Sequence, residues 1–278
     1  MKVLRKRSYA LLQTMLCLLF FGMTACESRE EVSPNVLESE VASGSKAMSS
    51  IVYGPATVIG EGTARVWVEL VKGKPVAIGI EISEDLLMSL GDEMFDVALK
   101  LPGQAHATGY KTITIGWNPQ GHDPDPIYTL PHFDFHFYMQ TEGQIKHITA
   151  GVDEGAYALL DKGVFPPFYG FGPPGSEPFA APHMGVHWVN FLSPEFNGGM
   201  FTKTFIYGSH KDRVTFLEPM VTLAYLESLN EGAVDEDVVH NLNIYEDPGY
   251  YPNTYTISHT DGTYRIALTD LEWHNMHR

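Results

Sequence analysis

The stretch PHFDFHFY, from Pro131 to Tyr138, alternates polar and aromatic side chains. Successive side chains of a β-strand point to opposite faces of its sheet. A strand here would place His132, Asp134 and His136 on one face and the phenylalanines between them on the other. We expect the phenylalanine face to pack in a core. On the polar face, side chains two positions apart are about 7 Å apart along the strand, and long ones can share one ion or one water.

Other segments along the chain also have the pattern of β-strands. Residues Ala64 to Val71 and Val76 to Ser83 alternate on either side of a short break, which predicts a hairpin. A second hairpin is predicted around Asp261-Gly262, because Asp-Gly between two alternating runs favours a tight two-residue turn. The sequence therefore predicts a mainly β fold, an antiparallel β-barrel or a sandwich-like domain with one or two short helices.

Three segments are candidates for those helices. The first starts at Ser83-Glu-Asp85 and stops at Gly91. The second is Asp153 to Leu160, and the third runs from Pro219 to Asn230, because proline is favoured in the first turn of a helix. The stretch from Val164 to Pro182 is dense in Pro, Gly and Phe, and we expect an ordered loop or a lid there.

The N-terminus has the features of an export signal. A basic start precedes an apolar run from Tyr9 to Met23, which is short for a membrane span, and the run ends in Met23-Thr-Ala-Cys26. Small residues before a cysteine resemble the bacterial lipobox, which implies that residues 1–25 are a cleaved signal peptide and that Cys26 is lipidated. The alternatives are a plain signal peptide or an uncleaved apolar anchor. The expected location is the bacterial cell envelope, with the protein lipid-anchored to a membrane and facing the periplasm or the exterior.

The domain organisation follows from composition. Residues 26–50 are polar, lack aromatic residues and are expected to be a flexible tether, and residues 51–278 are expected to form a single β-rich domain. The two cysteines are Cys17 and Cys26, so the predicted domain has no disulfide, no thiolate nucleophile and no cysteine metal ligand.

The charge of the chain excludes one class of partner. The formal net charge is −16, and loss of the predicted signal would remove four basic residues and no acidic one. Such a protein is repelled by the phosphates of nucleic acid. We therefore expect no nucleic-acid partner.

A second histidine pair strengthens the polar strand face as a candidate site. His183 and His187 lie four residues apart, a spacing that keeps both on one face of a strand. Imidazole with carboxylate is a ligand set typical of Zn, Fe or Mn sites. The hypothesis is a divalent-metal site with His132, His136, His183 and His187 as ligands. Asp134 or Glu218 would complete it or act as the base if a bound ion activates water.

A structural interpretation remains open beside this one. The same histidines and carboxylates could form a hydrogen-bond network that stabilises a polar interior without any ion. His122 lies in the polar loop that leads into the PHFDFHFY strand, and the remaining histidines have no comparable neighbours in the sequence. No nucleophile elbow and no phosphate-binding glycine loop is present in the sequence.

Several blocks occur in an order that is similar to a known family. They resemble the signature blocks of an uncharacterised bacterial family of exported β-rich proteins, classed as a domain of unknown function. The blocks are Trp117–His122, Pro131–Tyr138, Pro182–Trp188, Thr204–Gly208, Glu218–Met220 and Gly249–Pro252. The resemblance implies a β-barrel-like fold and a symmetric homo-oligomer, and it supplies no activity.

Two functions are consistent with these observations. In the first, the protein is an exported lipoprotein whose His/Asp-lined pocket binds a divalent metal and a small-molecule ligand. In the second, it is a non-enzymatic envelope module, and the cluster is a structural hydrogen-bond network, at a subunit interface if the chain is oligomeric. Metal content separates the two.

Overall fold

A computed structural model describes residues 48–276 of the chain. The predictions of a signal peptide and of a lipidated Cys26 fall outside the described residues, as does most of the tether. The tether was expected to reach residue 50, but Ser49 and Ser50 already pair in a strand with Val71 and Leu70.

The described residues are mainly β. The strands are, in chain order, β1 (Ser49–Tyr53), β2 (Thr57–Ile59), β3 (Gly62–Val71), β4 (Lys74–Ser83), β5 (Phe95–Leu99), β6 (Thr112–Asn118), β7 (His132–Tyr138), β8 (Gly151–Val152), β9 (Tyr169–Phe171), β10 (Phe179–Ala181), β11 (Gly185–Asn190), β12 (Lys203–His210), β13 (Arg213–Thr222), β14 (Val234–Val238), β15 (Gly249–Thr260) and β16 (Thr263–His274).

The helices of the described chain are short. The α-helices are α1 (Glu84–Met88), α2 (Glu142–Ile145), α3 (Gly155–Lys162) and α4 (Leu223–Ser228), and 3-10 turns occupy Gly103–Thr108 and Pro194–Phe196. The predicted helix near Asp153 is confirmed as α3. No helix within residues 48–276 has the length and apolar character needed to cross a membrane.

Two antiparallel sheets contain these strands. The first sheet has the order β1-β3-β4-β16-β15-β14, with β2 beside β3, and the second has the order β5-β6-β7-β13-β12-β11-β10-β8, with β9 beside β11. Across residues 48–276 both sheets are open, so the sandwich-like alternative describes the fold and the closed barrel does not.

Both predicted hairpins are confirmed. β3 pairs with β4, and β15 pairs with β16 across Asp261-Gly262. Asp261 and Gly262 have φ values of 53° and 67°, the left-handed conformation that a tight hairpin turn requires and that Asp and Gly tolerate best.

One apolar core draws residues from both sheets. Val66 and Ile80 of the first sheet belong to the same buried cluster as Ile115, Phe135 and Leu217 of the second. Phe133 and Phe137 belong to it as well, so the phenylalanine face of the PHFDFHFY strand packs in the core as predicted. The other face of β7 is therefore turned away from the core between the sheets.

The helix predicted from Pro219 to Asn230 is present only as α4, Leu223–Ser228, and its predicted start is wrong. Pro219 lies inside β13, a strand with neighbours on both sides, where it pairs with Phe205 of β12. Pairing between β13 and β7 is interrupted at Glu218 and Pro219, because proline has no N–H to donate. The helix begins only at Leu223, after the Thr222 side chain accepts a hydrogen bond from the Tyr225 N–H at 3.2 Å.

Candidate functional site

The polar face of β7 is assembled from three neighbouring strands. β7 lies between β6 and β13. The register places Asn118 opposite His132, and Gly116 and Met220 on either side of Asp134. Although this face lies outside the core between the sheets, His132, Asp134 and His136 are 0%, 5% and 1% exposed. The rings of His122 and Phe201, from segments outside the strands, lie against His132, and the face is an interior polar layer.

Three side chains form a first group, His122, His132 and Asp134. His132 Nε2 lies 3.2 Å from Asp134 Oδ1, and His122 Nε2 lies 3.4 Å from Asp134 Oδ2. The ligand atoms of the three residues fall within 4.8 Å of one another. The two imidazoles therefore direct the same ring nitrogen toward one carboxylate.

Backbone carbonyls fix the tautomers of the first group. His132 Nδ1 lies 2.6 Å from the carbonyl oxygen of Leu130, and His122 Nδ1 lies 2.6 Å from the carbonyl oxygen of Asp123. A carbonyl can only accept, so each Nδ1 must carry the proton. Each Nε2 then presents a lone pair toward Asp134 unless the ring takes up a second proton. A histidine that donates one N–H to a carbonyl and offers the other nitrogen is the usual arrangement of a metal ligand.

Asn118 orients the carboxylate of the first group. Its Nδ2 donates a hydrogen bond of 2.7 Å to Asp134 Oδ2 and leaves Oδ1 facing His132. Asn118 lies directly opposite His132 in the β6–β7 register, so the sheet itself sets this contact.

His122 reaches the group because the loop after β6 folds back. The His122 N–H donates to the carbonyl oxygen of Tyr128 at 2.9 Å. Gly121 has φ +66°, and a Cβ there would collide with the same carbonyl. Glycine at 121 thus permits the close approach that brings the His122 ring to 4.7 Å from that of His132.

A second group lies further along the same face and consists of His136, His187 and Glu218. His136 Nε2 is 3.4 Å from Glu218 Oε1, and His187 Nε2 is 3.9 Å from Glu218 Oε2. Thr114 Oγ1 lies 3.4 Å from His136 Nδ1 and occupies the far side of that ring. Glu218 is 1% exposed, so the group is closed on the carboxylate side.

A glycine lets His187 reach across a strand. His187 of β11 pairs with Gly208 of β12, and Gly208 pairs with Phe216 of β13. A Cβ at Gly208 would collide with the Phe216 ring, which lies over this position and packs against the His187 ring at 5.3 Å. The missing side chain thus leaves room for the aromatic ring against which His187 rests.

Four ligand atoms in these groups are buried and have no hydrogen-bond partner. They are His132 Nε2, Asp134 Oδ1, His136 Nε2 and Glu218 Oε2. The close approaches within the groups do not have the geometry of hydrogen bonds. Because buried polar atoms in folded proteins are nearly always paired, such a concentration on one face requires an explanation.

The spacing of the atoms fits a shared cation. Two ligand atoms that are each about 2.1 Å from one tetrahedral ion are about 3.4 Å apart. The four nitrogen–oxygen distances in the two groups run from 3.2 to 3.9 Å. The buried His, Asp and Glu side chains are therefore placed so that they could hold metal ions.

The electrostatics of the first group favour a charged carboxylate. Burial by itself would raise the pKa of Asp134, but the close His122 and His132 side chains lower it below its usual value. Burial would also lower the pKa of His122, yet the interaction with Asp134 outweighs this and raises it. The first group therefore keeps Asp134 ionised and favours positive charge beside it.

The electrostatics of the second group favour uncharged side chains. Burial lowers the pKa of His136 to about 3 and the pKa of His187 to about 4. Burial, with the nearby charges of Asp134 and Asp96, raises the pKa of Glu218 well above its usual value. Without a cation, this group is most stable with neutral imidazoles and a protonated Glu218 carboxyl.

In each of the two groups, one histidine is partly exposed to solvent. The His122 side chain is 34% exposed and the His187 side chain is 27% exposed, whereas the other four are buried. The predicted polar lining is thus present, but it lies beneath the surface, and the exposed edges of two imidazoles are its contact with solvent.

The structure divides the four predicted histidine ligands. His132 belongs to the first group, His136 and His187 belong to the second, and His183 belongs to neither. The four-residue spacing would align His183 with His187 only within one strand, but β11 begins at Gly185. His183 is instead an exposed turn residue with φ +65°.

Sequence reasoning did not select His122, Asn118 or Thr114 for the site. The signal available for His122 was its glycine-flanked position in the loop before β7. Asn118 and Thr114 could be found only from the β6–β7 register, because their side chains act from a neighbouring strand.

A third group elsewhere consists of Glu84, Glu231 and His259. His259 Nε2 is 2.7 Å from Glu84 Oε1, and its Nδ1 is 3.1 Å from the carbonyl oxygen of Leu229. The two glutamate side chains are 44% and 57% exposed, and the imidazole nitrogens already have partners. This group is explained as a surface ion pair.

Comparison of the chain with family models, with curated proteins and with solved structures gives no match. The site must therefore be interpreted from its own geometry, and the resemblance to an exported β-rich family stays a prediction.

Proposed function

We propose that this chain is a divalent-metal-binding protein of the bacterial cell envelope, with one ion in the His122/His132/Asp134 group and one in the His136/His187/Glu218 group. Export and lipid anchoring, as expected from residues 1–26, are part of the proposal. The observation that carries it is the set of four buried ligand atoms without hydrogen-bond partners. A cation in each group would satisfy all four at once.

The ligand chemistry narrows the ion. Two imidazoles and one carboxylate per group suit Zn, Fe or Mn better than Mg or Ca, which prefer oxygen ligands throughout. The two groups share no ligand, and their carboxylates come from different strands, Asp134 from β7 and Glu218 from β13. We therefore propose two separate three-ligand sites.

Three protein ligands leave a coordination position for water or for a small molecule. Of the two carboxylates considered as a base, Glu218 could take up a proton only if an oxygen of its carboxylate is not bound to the ion, and its raised pKa in the metal-free group favours uptake of a proton. Asp134 has a lowered pKa and remains a carboxylate, so we propose that it acts as a ligand only.

The alternative function is a structural hydrogen-bond network without a metal ion. The group of His136, His187 and Glu218 gives this alternative its main support. Neutral His136 with a protonated Glu218 carboxyl could form a hydrogen bond after a small rotation and need no ion. In that case the protein would be a non-enzymatic envelope module.

Metal analysis of the purified protein distinguishes the two candidates. The protein is stripped with chelator, titrated with Zn²⁺, Fe²⁺ or Mn²⁺ in separate experiments, and compared with His136→Ala. The control is His147→Ala, whose histidine is exposed in the turn after α2. The proposal expects about two ions per chain, about one in His136→Ala and about two in the control. Binding that is absent, or unchanged in His136→Ala, would favour the structural network.

A further inference from the structure

A groove away from both histidine groups has features of a ligand site. A cleft of about 310 Å³ beside the β12–β13 turn is lined by Lys111, Lys211 and Arg213 among others. A second cavity of about 210 Å³ shares Lys111, Met139 and Asp247 with the first. The two cavities therefore adjoin each other, and we refer to them together as the groove, which has a size that can accept a small organic molecule.

The groove concentrates positive charge on an acidic protein. The chain has a net charge of −16, and residues 48–276 contain eleven lysines and arginines, three of which line this cleft. Within the described residues, neither Lys111 nor Lys211 forms an ion pair with a carboxylate. Arg213 pairs with Asp247 at 2.5 Å, and Asp212 is the other acid on the lining. Two ammonium groups thus remain available to an anion.

The turn that carries Lys211 is firmly held. Lys211 has φ +59°, which is uncommon for a residue with a side chain. Buried Asp153 accepts the Lys211 N–H at 2.6 Å with one oxygen and the Gly155 N–H at 3.0 Å with the other. A Cβ at Gly155 would collide with the Lys211 backbone, so helix α3 packs directly against the turn. The strained conformation fixes the point from which the Lys211 side chain extends.

Two residues that line the groove each contain a buried polar atom without a hydrogen-bond partner. Tyr110 is 1% exposed, and its hydroxyl is buried without a hydrogen-bond partner. Gln140 Oε1 is likewise buried and unpaired, while Gln140 Nε2 donates to the carbonyl oxygen of Val214. Tyr110 lines the second cavity and Gln140 the first. Because both atoms are themselves buried, a ligand in the groove would meet the charged side chains of the lining and not these atoms.

The second cavity has a different character from the first. Tyr110, Tyr250 and Tyr251 line it, together with Gly109 and Gly249, which leave the wall between the rings free of side chains. Aromatic faces beside glycine backbone suit an apolar or planar group. One end of the groove is thus cationic and the other is aromatic.

We propose that this groove binds a small organic anion. Its oxyanion group lies against Lys111, Lys211 and Arg213, and its apolar or planar body lies against Tyr250 and Met139. The inference concerns a separate site and does not depend on metal binding at the histidine groups.

Calorimetric titration of the whole mature protein with three probes tests this. Phenyl phosphate carries both parts of the expected ligand, inorganic phosphate carries the oxyanion, and benzyl alcohol carries the ring. We expect saturable binding of one phenyl phosphate per chain and at least tenfold weaker binding of the other two. Raising the ionic strength should weaken phenyl phosphate binding and leave benzyl alcohol unaffected.

Variants locate the binding. The double variant Lys111→Gln/Lys211→Gln removes two exposed charges and is expected to weaken phenyl phosphate binding at least tenfold. The control Lys100→Gln, at an exposed lysine that lines neither cavity, should stay within twofold of the wild type. Tyr250→Ala should weaken phenyl phosphate and leave inorganic phosphate unchanged. No saturable binding of phenyl phosphate, or equal binding by the double variant and the wild type, would overturn the proposal.

Discussion

His132 Nε2 lies 3.2 Å from Asp134 Oδ1, and both atoms are buried without a hydrogen-bond partner. The His132 Nδ1 proton is committed to the Leu130 carbonyl, so a neutral His132 turns a lone pair toward an anionic oxygen. Either a second proton or a cation must lie between them. A metal ion would resolve this conflict in the first group, and it would also pair the buried His136 Nε2 and Glu218 Oε2 of the second group.

Loss of one carboxylate should remove one ion and leave the other. Asp134→Asn is expected to lower the metal content from about two ions per chain to about one, and Glu218→Gln should do the same, because the groups share no ligand. The double variant should bind none. The measurement is metal content by mass spectrometry after dialysis against a weak chelator.

His183 provides the matched control for that experiment. It is an exposed turn residue outside both groups, so His183→Ala should retain the wild-type metal content. A loss of one ion in His183→Ala would show that His183 is a ligand and would contradict the proposed ligand set. Loss of both ions in either single carboxylate variant would mean that the two groups act as one site.

Residues that orient the ligands should affect affinity and leave stoichiometry unchanged. Asn118→Ala removes the 2.7 Å hydrogen bond to Asp134, and Thr114→Val removes the contact with His136 Nδ1. Each is expected to weaken one of the two sites by about 10- to 100-fold. Competition with a chromogenic chelator measures the metal affinity of each site. The control is Thr112→Val. Thr112 lies on the same strand as Thr114 but donates its hydrogen bond to the Gln140 carbonyl oxygen. If Asn118→Ala changes neither affinity, the orienting role is wrong.

In the metal-free protein, the contribution of Glu218 to stability should decrease as the pH rises. Burial raises the pKa of Glu218, so between the unfolded value, about 4.3, and the higher folded value the native state holds a proton that the unfolded state releases. The Glu218 contribution to the free energy of unfolding therefore falls with increasing pH across that window. His136 and His187, whose pKa values are lowered to about 3 and about 4, act in the opposite direction below about pH 6.5, so the Glu218 contribution is obtained by comparison with a variant. Glu218→Gln has no such proton and should become progressively more stable than the wild type as the pH rises.

Urea unfolding of the chelator-treated protein from pH 5 to pH 8 checks this dependence. Glu93→Gln, which changes an exposed glutamate, should parallel the wild type. Equal pH dependence in Glu218→Gln and the wild type would exclude a protonated Glu218 as its source.

The phenylalanine face should dominate the stability of the fold. Phe135 is fully buried in the core cluster, and Phe135→Ala is expected to lower the free energy of unfolding by about 3 to 5 kcal/mol. Phe179, in β10 of the second sheet, is 60% exposed. Phe179→Ala should change the free energy of unfolding by about 0.5 kcal/mol or less. Similar losses in the two variants would be inconsistent with a core between the sheets.

The strand pattern could be predicted from local sequence because its cause is local. Side chains alternate along any strand, so Phe133, Phe135 and Phe137 were expected to share a buried face, and they do. The Asp261-Gly262 turn was predictable for the same reason, since two adjacent residues with positive φ suffice to form it. The preference of proline for the first turn of a helix gave a wrong helix start at Pro219, which lies in β13 between β7 and β12.

The composition of the site depended on contacts between distant parts of the chain. Alternation placed His132, Asp134 and His136 on one face, and that much required only the sequence. It could not show that they divide between two groups, that His122 folds back over β7, or that β11 begins after His183. Those facts depend on strand register and on loop closure at Gly121, which bring together residues far apart in sequence. The sequence pattern predicts which face of a strand a side chain lies on, but not which side chains of other segments it contacts. For this protein, those contacts separate a candidate metal site from an ordinary polar strand face.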